Sequence, residues 1–171
     1  MSKAFTRESD DAPERPAPPR PAAVLPPGMK NLITPGGVLR ARAELEALLA
    51  EESKLREAVA IEEAEVARKL QSLAQRVLKL QRTLQTAVVT GPPPLEDGVV
   101  RFGATVVVRE RGSEEALYRI VGVDETDLER NWVSWLSPIA KALLNARVGQ
   151  RVRLKLPGGE EELEILRVSY E

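Results

Sequence analysis

The chain has 171 residues, 25 Lys and Arg against 26 Asp and Glu, a net charge of −1, and neither Cys nor His. That length suits one to two domains, and the missing residue types exclude a disulfide framework, a zinc finger, a thiol nucleophile and a His-based triad. Any metal would have to sit on carboxylates, as Mg²⁺ does, and a charge near zero gives no whole-protein attraction to nucleic acid.

Residues 1–33 form a polar stretch of mixed charge, dense in proline from Pro16 to Pro27. Such composition cannot bury a core, so it predicts a disordered arm. The N-terminal residues lack the apolar region of a secretory signal. No run of about 18 apolar residues occurs in the chain, so no membrane span is expected. The default location is then the cytoplasm.

Residues 34–90 open on Thr34-Pro35-Gly36-Gly37 and stop before Gly91-Pro92-Pro93-Pro94, with no Gly or Pro from 38 to 90. These are helix start and stop signals. Apolar residues fall at Leu45, Leu48, Leu55 and Val59, then at Val66, Leu70, Leu73, Val77, Leu80 and Leu84. Spacings of three and four make the narrow stripe of a coiled coil. The phase slips between Glu62 and Leu70, as it does where a helix folds back or where a continuous helix carries a stutter. Charge favours the fold-back. Residues 38–66 hold four bases and eight acids, whereas 67–90 hold Arg68, Lys69, Arg76, Lys79 and Arg82 with no acid. An acidic helix against a basic one gains flanking pairs. The preferred reading is an antiparallel coiled-coil hairpin reversing around Ile61 to Glu65.

Residues 95–171 read as an antiparallel β domain with one helix. Strand-like runs occur at 99–109, 117–123, 132–136, 152–156 and 163–168, with hairpin signals at Gly112-Ser113 and Pro157-Gly158-Gly159. Ser137 as N-cap and Pro138 in the first turn open a helix through Leu144. The fold class is therefore α+β.

Chemistry-bearing clusters are few. The acids Glu62, Glu63 and Glu65 sit where the hairpin would turn, able to face a divalent cation or another protein's active site. Against that, Glu65 and Lys69 are an ordinary i,i+4 pair. Trp132 and Trp135 flank the strand before Ser137-Pro138, and a half-exposed Trp is a protein-docking anchor. At a spacing of three, one should be core and the other nearer the surface. Arg151, Arg153 and Lys155 share a strand face with glutamates nearby to pair with them. No phosphate-binding loop occurs, and the serines have no His base. The residues describe a binding protein with no catalytic or metal-ligating set of its own.

Several stretches together resemble the GreA/GreB transcription elongation factors. They are Val100-Arg101-Phe102-Gly103-Ala104-Thr105-Val106, Tyr118-Arg119-Ile120-Val121-Gly122-Val123-Asp124-Glu125, Ser134 to Leu144 with Val148-Gly149, and Leu156-Pro157-Gly158-Gly159 to Ile165. Residues 1–10, Lys30 to Gly36 and Leu39 to Leu45 resemble the start of GreB-type members. The resemblance implies an FKBP-like C-terminal domain that docks on RNA polymerase at its secondary channel, with Trp135, Leu136, Ser137, Pro138 and Ile139 as the contact. It also implies a hairpin entering that channel, where family tip acids help hold a Mg²⁺ belonging to the polymerase. The factor itself is no enzyme and carries no cofactor; it meets nucleic acid only through the transcription complex and acts as a monomer.

This chain departs from the family at the tip. The family motif is of the type G-D-x-x-E-N-x-x-Y, and residues 38–90 contain no Asp, Asn, Gly or Tyr. Leu136 stands where many relatives have Asp. Three readings follow: a channel-binding regulator with weakened or absent stimulation of RNA cleavage; an active anti-arrest factor using Glu62, Glu63 and Glu65; or a coiled-coil adaptor without polymerase contact.

Overall fold

The computed structural model describes residues 25–57, 63–94, 97–110, 114–156 and 159–170. In chain order come β1 (Asn31–Ile33), α1 (Pro35–Glu57), α2 (Glu63–Thr86), β2 (Ala87–Val89), β3 (Ala104–Arg109), β4 (Glu115–Val121), a 3-10 turn (Val123–Glu125), β5 (Trp132–Ser134), α3 (Pro138–Leu143), β6 (Arg151–Leu156) and β7 (Gly159–Tyr170). Helix and strand thus both occur, as expected. Among the described residues no helix is long and apolar enough to cross a membrane.

Helix α1 starts because Thr34 caps it: the Gly37 N–H donates to the Thr34 hydroxyl at 2.9 Å, and Pro35 fits the first helical position. Its apolar stripe packs on that of α2, with Leu48 buried against Leu73 and Val77, and Leu45 and Leu80 beside them. The start of α1 meets the end of α2. There Asn31 Nδ2 donates to Thr86 Oγ1 at 3.1 Å, and β1 pairs in parallel with β2.

Four expectations for this half need correction. Asn31–Ile33, at the end of the arm expected to be disordered, is a strand in which Asn31 and Ile33 are buried. The helical run ends at Thr86, because the β-branched Val88-Val89-Thr90 sequence prefers to pair with β1. Glu63 and Glu65, placed in the expected reversal, already belong to α2, while 58–62 lie outside the described residues. The expected charge complementarity between the helices is also sparse. Among the described residues a single ion pair joins them, Arg76 with Glu44 at 3.0 Å; Arg56–Glu52 and Lys69–Glu65 lie within one helix.

The second half is a sheet in the order β5-β4-β3-β7-β6. Strands β3 and β4, β3 and β7, and β6 and β7 pair antiparallel, whereas β4 and β5 run parallel. The antiparallel expectation thus fails at one edge, where the 3-10 turn and the loop after it carry the chain back. The long run from Val99 also splits. Gly103, at φ 85°, makes a turn before β3 begins at Ala104.

One sheet face and α3 enclose the core, which includes Val106, Val108, Ile120, Leu143, Leu163 and Ile165. Along β7 the inward residues are Leu163 and Ile165, then Val168 and Tyr170, so strict alternation slips by one. A register shift between Val107 and Val108 of β3, opposite Arg167 and Ile165, absorbs the extra Leu166. Tyr170 then reaches the entry to the domain: its hydroxyl donates to Val99 O at 2.6 Å and accepts from Arg101 N at 3.0 Å. Tyr118 donates to Glu110 at 3.0 Å. Burial first, and that carboxylate second, push its phenol up to about 12.

Two outcomes follow. Leu163→Ala removes a fully buried side chain and lowers stability by about 2–5 kcal/mol, read from urea unfolding followed by tryptophan fluorescence. Because the folded Tyr118 pKa is raised, its contribution is complete below the unfolded value near 10 and fades as pH climbs through about 12. A 295 nm titration shows this late ionisation, and Tyr118→Phe abolishes it.

Candidate functional site

The segment implied to dock is a corner between β5 and α3. The Trp135 N–H donates to Val121 O at 2.9 Å, and the Ser137 N–H to Ser134 O at 2.8 Å. Ser134 is buried, and its hydroxyl accepts from the Leu136 N–H at 3.2 Å. The Ser137 hydroxyl accepts from the Ala140 N–H at 3.2 Å, with Pro138 at the first helical position. The N-cap read from sequence is therefore present, and the corner is held by its own backbone.

Its side chains divide. Pro138 is exposed, Leu136 and Ser137 are half-buried, and Trp135 and Ile139 lean on the core. The core member of the tryptophan pair is thus Trp135, whose buried indole Nε1 has no hydrogen-bond partner among the described residues. Trp132 stands apart from this corner, half-buried under the guanidinium groups of Arg40 (4.6 Å), Arg119 (5.0 Å) and Arg130 (5.4 Å).

The candidate tip acids are separate from both. Glu65 is exposed and sits 3.3 Å from Lys69, the ordinary pair expected. Glu62 and the side chain of Glu63 lie outside the described residues. Among the described residues no group of three acids is arranged to hold a metal ion. Two of the three bases on that strand face have acidic neighbours: Arg151 lies 3.4 Å from Glu162 and 3.8 Å from Glu164, and Lys155 lies 3.9 Å from Glu160.

Sequence reasoning missed the site where the two halves join. The Glu125 side chain is 4% exposed. Its carboxylate accepts from the Thr34 N–H at 2.8 Å and from the Gly122 N–H at 3.0 Å. The Thr34 hydroxyl and Arg40, at 3.0 Å, also donate to it. Next to it Asp124 accepts from the Thr83 hydroxyl at 2.8 Å and lies 3.9 Å from Lys79. One short turn therefore holds α1 through Glu125 and α2 through Asp124. A Cβ on Gly37 would overlap the Glu125 carboxylate, and one on Gly122 would overlap Leu32 O. Both motifs, Thr34-Pro35-Gly36 and Val123-Asp124-Glu125, stand out in the sequence, but nothing in either shows that they touch.

Residues 95–170 match the family described as Transcription elongation factor, GreA/GreB, C-term. Over more of its length, the chain is 37% identical to Transcription elongation factor GreB of Xanthomonas axonopodis pv. citri across 160 residues, 85% of this chain and 95% of that protein. The chain belongs to the GreA/GreB family. Its similarity to Transcription elongation factor GreB of Neisseria meningitidis serogroup B is 43% over 105 residues, and that match spans 64% of the relative, less than two thirds. A solved GreA/GreB structure from Nitrosomonas europaea aligns over 83% of this chain and 99% of its own, at 23% identity and a TM-score of 0.41; the family assignment does not rest on it. These relatives are named as transcription elongation factors.

The junction yields a paired test. Gly37→Ala forces the Glu125 carboxylate away from its donors and costs about 2–3 kcal/mol. At Gly36 a Cβ meets a nitrogen of the Arg40 guanidinium at 3.2 Å, a contact that shifts the side-chain end by a few tenths of an ångström. Gly36→Ala therefore costs less than Gly37→Ala, because an arginine end yields more readily than the sealed Glu125 carboxylate. Thermal and urea unfolding of the two variants separate them.

Proposed function

We propose that this protein is a regulator that binds RNA polymerase at the secondary channel and has weakened or absent stimulation of RNA cleavage. In this reading α1 (Pro35–Glu57) and α2 (Glu63–Thr86) are the arms of an antiparallel coiled-coil hairpin that enters the channel. Residues 95–171 are an FKBP-like domain that docks through Trp135, Leu136, Ser137, Pro138 and Ile139. Family membership supports the partner, and the ordered β5–α3 corner with its exposed Pro138 supports the docking surface. The chain itself is no enzyme and needs no cofactor.

The observation that carries the cleavage half is the composition of 38–90, which lacks the Asp, Asn, Gly and Tyr of the family's tip motif. Helices of 23 and 24 residues reach about 35 Å. A carboxylate offered to a metal from such an arm must be well placed, because metal-assisted chemistry tolerates little displacement. The exposed Glu65 near the start of α2 favours a second reading, an anti-arrest factor working through Glu62, Glu63 and Glu65. Its ion pair with Lys69 weighs against that role.

The deciding experiment is transcript cleavage on a stalled, backtracked polymerase with Mg²⁺, run beside competition against an ordinary Gre factor. The expected result is cleavage no faster than the polymerase's own rate, together with displacement of the competitor. Cleavage that disappears in the E62Q/E63Q/E65Q variant would establish the second reading instead. Neither cleavage nor competition would leave an adaptor that does not contact polymerase.

A further inference from the structure

The outermost backbone hydrogen bond of the β5–α3 corner, Trp135 N–H to Val121 O, is one residue from Gly122, whose own N–H donates to Glu125. The junction and the corner are therefore built on the same strand end. From Glu125 the connections run outward to Thr34 and Arg40 of the α1 start, and from Asp124 to Thr83 and Lys79 of α2. Arg40 is shared between the Glu125 carboxylate at 3.0 Å and the Trp132 ring at 4.6 Å. We propose that Glu125 is a positioning residue that sets the direction of the α1–α2 pair relative to the β5–α3 corner.

The geometry makes this more than ordinary cohesion. Four donors from both halves converge on one carboxylate; the absence of a side chain at Gly37 leaves room for the Glu125 carboxylate, and its absence at Gly122 leaves room for Leu32 O. Charged hydrogen bonds of this kind are directional and stronger than neutral ones. Helix α1 extends about 34 Å from the junction, so a swing of about 10° there moves its far end about 6 Å. That is more than a group acting at the far end of the helices could tolerate. The effect on polymerase rests on the function proposed above; the effect on helix direction does not.

The absence of native Cys allows unique spin labels at two exposed sites, K54C on α1 and K141C on α3, in the full chain. Double electron–electron resonance gives one narrow distance distribution for the labelled parent. In E125Q and E125A the distribution becomes at least twofold broader or moves by several ångström. R40M, at a half-exposed position, gives a smaller broadening and decides the matter if both Glu125 variants fail to fold. Distributions as narrow as the parent's, at the same mean, in every variant that folds would overturn the proposal.

Polymerase supplies a second readout. E125Q shifts the half-point of competition against a Gre factor by less than threefold, while its effect on transcription at saturation falls at least tenfold. Unchanged effect at saturation would also overturn the proposal. A parent that does not compete at all would remove the polymerase reading and leave the distance measurement to judge the positioning.

Discussion

A carboxylate taken out of water is costly unless donors replace its hydration shell, and the Glu125 side chain is nearly sealed. Its donors cannot come from one half of the molecule alone. Gly122 lies in its own half, whereas Thr34 and Arg40 belong to the other. Folding the C-terminal half without the helices would leave Glu125 short of partners, and removing it would strand the Thr34 N–H at the start of α1. This shared hydrogen-bond set links the two halves. The conditions it imposes explain otherwise unremarkable residues: a hydroxyl at position 34 that caps the helix and donates to the carboxylate, and no side chain at 37 or 122.

Periodicity made much of the architecture legible in the sequence. Alternation in 151–156 and 162–165 gave strands with one wet face, and the α2 stripe gave Leu73 and Val77 as buried residues. Ser137 with Pro138 gave α3 to within a residue. These features are local, so the chain itself displays them. The β1–β2 pair was not legible. Each strand has three residues, and their partners are 56 positions apart, as Asn31 and Ala87 show. The parallel β4–β5 edge was missed for a similar reason, since nothing local tells a strand which way its neighbour runs.

The candidate site divides the same way. The corner's capping was readable because an N-cap is a nearest-neighbour pattern, but the inward lean of Trp135 depends on the core behind it. The charge difference between the helical segments was visible and its interpretation incomplete: it suggested many pairs between helices, whereas side chains three or four apart on one helix compete for the same partners. The Glu125 junction was hidden because it joins residues about ninety apart in sequence, as Thr34 and Glu125 are.

The position of β7 has a consequence for how the chain is made. This strand follows all its partners in sequence yet lies between β3 and β6. During synthesis, β3 must wait with an open edge until residues 159–170 leave the ribosome, while the helices can pair long before. Contacts of such long range form slowly, and open strand edges invite association with other chains. The nascent chain therefore passes through a stage in which its helical half is complete and its sheet is not. Ribosome stalling late in synthesis would prolong that stage and make it the main occasion for misassembly.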